Sequence, residues 1–126
     1  MEVRKLEIAS ATAWSAVSDG IAVSDEIDRA RAPDAKMTVG FARLDAGEEL
    51  PISFPYDEVL VITRGTYVVE TEAGEQLRAS AGDVVYLPAG SSNGSRAIEE
   101  TEMVYIANPP ETYAEHVAAA AAATEG

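Results

Sequence analysis

From residue 37 onward the chain breaks into short apolar runs, each closed by a turn that carries glycine, proline or a small polar residue. The clearest run, residues 58–63, sets Val59 and Val61 on one strand face and Leu60 and Ile62 on the other, so both faces want cover. The same pattern predicts strands over residues 37–44, 66–72, 76–79, 83–87, 94–98 and 102–107. Asp45-Ala46-Gly47, Gly65 and Ala73-Gly74-Glu75 read as turns between them. Many short strands at near-regular spacing predict an all-β sandwich or barrel, not a parallel α/β sheet.

Residues 1–36 are less periodic. Trp14-Ser15-Ala16-Val17 and Ile21-Ala22-Val23 read as short strands about the turn Ser18-Asp19-Gly20, and Ala32-Pro33-Asp34 breaks the charged stretch 25–31. At the other end Asn108-Pro109-Pro110 stops the strands, because proline cannot donate to a ladder. Residues 111–123 read as a helix with acidic Glu111 in its first turn. The alanines at 118–123 favour a helix without needing a partner, yet offer little apolar area to pack. The expectation is therefore a frayed or disordered tail, the alternative a helix lying across a neighbouring subunit. Three segments follow: residues 1–36 packing on the barrel, the barrel at 37–110, and an Ala-rich tail at 111–126.

The length of 126 residues allows one core, and 47% hydrophobic residues suit a globular chain. No apolar run approaches the roughly 20 residues that span a bilayer, and the mixed charges of the first seven residues do not make a secretory signal. Without cysteine, disulfide and thiolate chemistry are out of reach. These features lead us to expect a cytoplasmic protein with no membrane partner. Nine Lys and Arg against 22 Asp and Glu give a net charge of −13, which repels phosphate backbones and makes nucleic acid an improbable partner. The acidity reads first as solubility and secondly as attraction for a cationic substrate or partner.

The densest motif is Gly82-Asp83-Val84-Val85-Tyr86-Leu87-Pro88-Ala89-Gly90, preceded by Tyr56-Asp57-Glu58 and a strand closing at Gly65. With Gly40-Phe41, Pro51, Ser91-Ser92 and Tyr105 ahead of Pro109, this set resembles the two signatures of the cupin barrel. Over residues 38–110 it is most similar to the cupin domain of the ethanolamine-utilisation Q protein. The resemblance implies a small jelly-roll-like antiparallel β-barrel, here with a short C-terminal helix, a dimeric state, and a site inside the barrel mouth. It also implies ethanolamine utilisation as a context and an acetate-kinase-like activity as one alternative. No phosphate-binding Gly-rich loop followed by Lys is present to support that activity.

Cupins hold a metal through His, one residue, His, three or four residues, then Glu, with a further His in the second signature. Counting back from Glu58 meets Ile52 and Phe54, or Pro51 and Ser53, and the second-signature position is Asn93. His116, the sole histidine, falls in the predicted helix and is expected to lie far from the mouth. No metal ligand set and no cofactor are therefore expected. A transition metal prefers imidazole or thiolate donors, and only a weakly held divalent cation such as Mg²⁺ at Glu58 stays open.

Glu58 should face inward with Leu60 and Ile62, where desolvation raises a carboxyl pKa and suits it to general acid or base work. Alternatively it bonds a Tyr or a backbone amide and does no chemistry. Tyr86 alternates with Val84, and both are expected to point inward, making Tyr86 the second catalytic candidate. Tyr56, Asn93, Ser53 and Tyr105 are the candidate contacts for a small polar metabolite. The readings left open are an enzyme, a non-catalytic binding barrel, and a homodimeric scaffold whose pocket is filled by Phe54, Tyr67 and Tyr105.

Overall fold

The apolar runs form nine antiparallel strands among the described residues. A computed structural model describes residues 2–125. After a single 3-10 turn at Ile8–Ser10 come β1 (Trp14–Ser18), β2 (Ile21–Ile27), β3 (Thr38–Leu44), β4 (Asp57–Arg64) and β5 (Thr66–Glu70). β6 (Gln76–Ser80), β7 (Val84–Leu87), β8 (Gly94–Ala97), β9 (Thr101–Asn108) and the helix α1 (Pro110–Glu125) follow. Six strands pair in the order β1-β2-β3-β9-β4-β7, and three in the order β6-β5-β8. Apolar side chains of both sheets meet in one core, Leu60, Ile62 and Met103 from the larger and Tyr67, Val69 and Ala97 from the smaller. The chain crosses from one sheet to the other at Gly65, whose φ of 85° and close approach to the Glu100 carbonyl require a residue without Cβ.

The N-terminal strands, whose pairing the pattern left open, extend the larger sheet through β2 beside β3. β2 runs on through Ser24 and Asp25 to Ile27, beyond the predicted run. The helix corrects the expectation of a frayed tail. It spans Pro110–Glu125, longer than predicted at both ends, and its first half is anchored: Tyr113 is buried and Arg29 pairs with Glu111 at 3.0 Å. The physical reason is the stripe of Tyr113, His116 and Val117, which supplies the apolar and aromatic area that the alanines lack. No described helix is long and apolar enough to cross a membrane.

Register sorts the larger sheet into rows, because directly paired residues share a face. On the inner face one row runs Leu87-Glu58-Ala107-Thr38, and the next Val85-Leu60-Tyr105-Gly40-Asp25. On the outer face lie Tyr86-Val59-Ile106-Val39-Ile27 and Val84-Val61-Val104-Phe41-Ser24. The second inner row depends on Gly40. A Cβ there would overlap the Tyr105 phenol, so only glycine lets that ring lie across β3 and reach Asp25 on β2.

Gly40→Ala should therefore displace Tyr105 and cost about 1–3 kcal/mol, the usual penalty of overpacking a core. Urea denaturation of the two proteins measures it, and equal midpoints would show that the ring has room we do not see.

Candidate functional site

Between the larger sheet and α1 lies a cavity of about 510 Å³. Its inner wall is the face of β2, β3, β4 and β9, and its rim is formed by β1, residues 50–54 and the apolar stripe of α1. Two carboxyl groups face it. Glu58 is only 6% exposed, and among the described residues nothing donates a hydrogen bond to its carboxyl. Asp25, half-buried one row away, accepts hydrogen bonds through the same Oδ1 from Tyr105 and, at 2.6 Å, from Tyr113. Phenols that donate in this way satisfy an ionised carboxylate without bringing a positive charge into the cavity.

Aromatic rings make most of the remaining wall. Phe54 and Tyr56 stack with centroids 5.0 Å apart, Tyr113 meets Tyr56 at 5.3 Å in an edge-on contact, and Tyr105 lies 6.3 Å from Tyr113 in a near-parallel stack. Such offset and edge contacts are the favoured geometries of aromatic pairs. Tyr67 closes the base, donating to Ser95 Oγ, which donates in turn to the Leu50 carbonyl at 2.7 Å. Arg31, the one Lys or Arg among the described lining residues, is held by Asp28 at 2.7 Å.

Burial governs the protonation of these groups. Desolvation, helped by the Asp25 charge, raises the Glu58 carboxyl from 4.5 to about 8. Tyr56 is pushed well above the usual phenol range by burial and then by Glu58 and Asp25. Tyr105 is driven up by burial and the charges of Tyr113 and Asp25, and Tyr113 by burial and its bond to Asp25. Tyr67 rises to about 12, chiefly through burial. Near neutral pH the phenols of the cavity are neutral, and the Glu58 carboxyl is poised to gain or lose its proton.

The structure brings together Glu58, Tyr56 and Tyr105 from the predicted set. It separates Tyr86, Asn93 and Ser53 from them. Tyr86 pairs with outward Val59 and is 60% exposed, so the expectation that it and Val84 point inward is corrected. The reason is parity: Leu87 faces Glu58 on the inner side, so its neighbour must face out. Asn93 is a structural clasp, its Nδ2 donating to Ser91 Oγ at 2.9 Å and to the Ile52 carbonyl at 3.3 Å. Ser53 is exposed and accepts from the Asn93 amide at 3.0 Å. His116, expected far from the mouth, instead sits at it, 5.6 Å from the Tyr56 ring and 5.8 Å from Phe54.

Three residues of the cavity were missed: Asp25, Tyr113 and His116 as a neighbour of the site. Asp25 carried a signal, since Ile21, Val23 and Asp25 alternate on one strand face and a carboxylate ending such a run faces inward with its neighbours. Tyr113, His116, Val117 and Ala120 share one helical face, which marks a docked helix.

The pattern that defines the EutQ-like cupin domain matches residues 32–105. The chain belongs to that family. An ethanolamine utilization protein Q from Salmonella typhimurium is 29% identical, with a TM-score of 0.64 over 71% of this chain and 70% of its own. A Rhizobium leguminosarum protein of unknown function is 26% identical, with a TM-score of 0.71 over 86% and 99%. Ectoine synthase from P. lautus, 22% identical, shares the fold with a TM-score of 0.74 over 91% and 83%. Among curated proteins nothing matches.

Many cupins carry a metal, and this cupin's donor set does not fit one. The first-signature positions hold Ile52 and Phe54 or Pro51 and Ser53, the second holds Asn93 committed to the Ile52 carbonyl, and no three His, Asp or Glu side chains converge among the described residues. No step is assigned to a metal.

Glu58 also sets a pH dependence. Its folded pKa of about 8 lies above its ordinary 4.5, so between those values the folded protein holds a proton that the unfolded chain has lost. The contribution of Glu58 to stability is then fully present below pH 4.5, falls as pH rises through the window, and is gone above pH 8. The other groups facing the site (Asp25, Tyr56, Tyr67, Tyr105, Tyr113, His116 and Arg31) are common to the Glu58→Gln variant and drop out of the difference. That variant should gain about 5 kcal/mol on the native cupin as pH rises from 4.5 to 8. Parallel curves in denaturant titrations across that range would show that Glu58 is solvated.

Proposed function

We propose that this cupin is a cytoplasmic homodimer that binds a small polar metabolite in the aromatic cavity and moves a proton on it through Glu58. The observation that carries the reading is a buried carboxyl, facing a cavity of metabolite size, with no hydrogen-bond partner among the described residues; its burial pushes its pKa up toward neutrality. A side chain kept for packing would be apolar, and one kept for structure would be bonded. Glu58 is neither, so its proton is available to a ligand. Tyr56, Tyr105 and Tyr113 supply neutral hydroxyl groups that orient the ligand beside it.

The acetate-kinase-like alternative fits the residues less well. Arg64 pairs with Glu100 at 3.4 Å, Arg96 is exposed on the smaller sheet, and the cavity is walled by carboxyl groups that repel a phosphate. The scaffold reading, in which Phe54, Tyr67 and Tyr105 fill the pocket, leaves a cavity of this size unexplained.

The outer face supports the dimer. Val84 and Tyr86, 61% and 60% exposed, begin the two apolar rows that run across β4, β9 and β3, and a second copy of the same face would cover them. The native protein should sediment as two chains and Tyr86→Glu as one; a native monomer at micromolar concentration refutes the proposed assembly.

For the chemistry, the protein is screened against amino alcohols, sugars and acyl compounds by thermal shift, with products read by mass spectrometry. Glu58→Gln should keep the fold and the shift while turnover falls by at least about a hundredfold, the scale of a lost general acid or base. Turnover that survives the substitution would overturn the role of Glu58, and a shift without product in the native protein would identify a binding barrel.

A further inference from the structure

The chemistry of the cavity wall narrows the ligand class, and this step rests on the cavity being the ligand site. We propose that the cavity selects a small organic cation, an amine or quaternary ammonium compound, with its positive charge held between the aromatic rings and Asp25.

Three independent features of the wall point the same way. The first is charge. Asp25 and Glu58 both face the space, and among the described residues Arg31, the one Lys or Arg in the lining, is already taken by Asp28. The cavity therefore offers acidic groups and no free Lys or Arg, which disfavours an anion and favours a ligand that brings positive charge to Asp25. The second is the rings. Phe54, Tyr56, Tyr105 and Tyr113 are held by contacts to one another and not by the ligand, so their faces and edges are set before binding. Ring faces attract a cation, and preset rings do so without the cost of ordering them. The third is Glu58, more than nine-tenths buried and without a donor among the described residues. A carboxyl left this way lacks a donor or a positive charge, and an ammonium group supplies both.

The placement of Asp25 is specific to this arrangement. Both phenols that bond it donate to Oδ1, and no described donor reaches Oδ2. One oxygen is used to hold the wall together and the other remains for a ligand. The net charge of −13 acts in the same direction at longer range, raising the local concentration of cations around the mouth. Binding should also release a proton, because a cation beside Glu58 favours its ionised form.

Isothermal titration calorimetry compares choline with its uncharged carbon isostere dimethylbutanol, and butylammonium with butanol, with acetate and glucose as anionic and neutral controls. At least one cation should bind about tenfold or more tightly than its isostere, with acetate weakest. Asp25→Asn keeps an oxygen to accept both phenols and should shrink that preference to less than about threefold. Titration in two buffers of different ionisation heat should show proton release at pH 7 that Glu58→Gln abolishes. Equal binding of cation and isostere, tighter binding of acetate or glucose, or no binding by any probe overturns the cation preference. The first two of these leave the metabolite cavity standing. A clear cation preference with turnover undiminished in Glu58→Gln would keep the ligand class and remove the catalytic role.

Discussion

A carboxyl group on the inner face of a strand is costly to bury, and the architecture around Glu58 is organised by that cost. Its strand neighbours on the same face, Leu60 and Ile62, are core residues, so the two-residue period that buries them buries Glu58 as well. An ion left there would cost far more than a neutral acid. The group responds by keeping its proton, and the cavity beside it keeps the carboxyl from being sealed without a partner. The ring wall and the docked helix surround this carboxyl.

The wall is built by cooperation among strands and helix. Gly40 gives up its side chain so that Tyr105 can cross β3, and Asp25 then bonds Tyr105 from the sheet and Tyr113 from the helix. That single carboxylate ties α1 to the larger sheet, and the ion pair of Arg29 with Glu111 fixes the helix start. Polar groups with shared partners of this kind are worth more than isolated surface pairs, because each member is satisfied in a low-dielectric setting. The helix closes one side of the cavity through residues that are individually modest in area. Its alanines beyond Val117 stay largely exposed, which agrees with their limited capacity to pack.

Much of the fold was legible because strand period and turn chemistry are local properties. Residues 58–63 announced a strand by alternation alone, and β4 spans Asp57–Arg64 with Glu58, Leu60 and Ile62 buried on its inner face. Glu58 could be placed inside for the same reason. What failed was parity across a gap: Tyr86 and Val84 alternate correctly with each other, but which of the two faces they occupy depends on pairing with β4, and pairing is not local. Asn93 failed differently. Its position in the second signature is right for a cavity residue, yet its amide is spent on Ser91 and Ile52 to hold the turn. His116 and Tyr113 escaped because the alanines that follow them masked a short packing stripe within a helix read as a tail.

Where the cupin signatures place imidazoles, this chain carries Ile52 and Phe54 or Pro51 and Ser53, with Asn93 in the second signature, and that changes the surface of the mouth. Imidazoles would hold a charge at the centre of the mouth; here Phe54 instead stacks on Tyr56 and meets the edge of His116, so the same region becomes an aromatic surface. Burial, with the charge of Asp25, pushes the Glu58 carboxyl up within that surface. A buried carboxyl pushed up toward neutrality, beside an aromatic wall, is in a form that can give and take a proton.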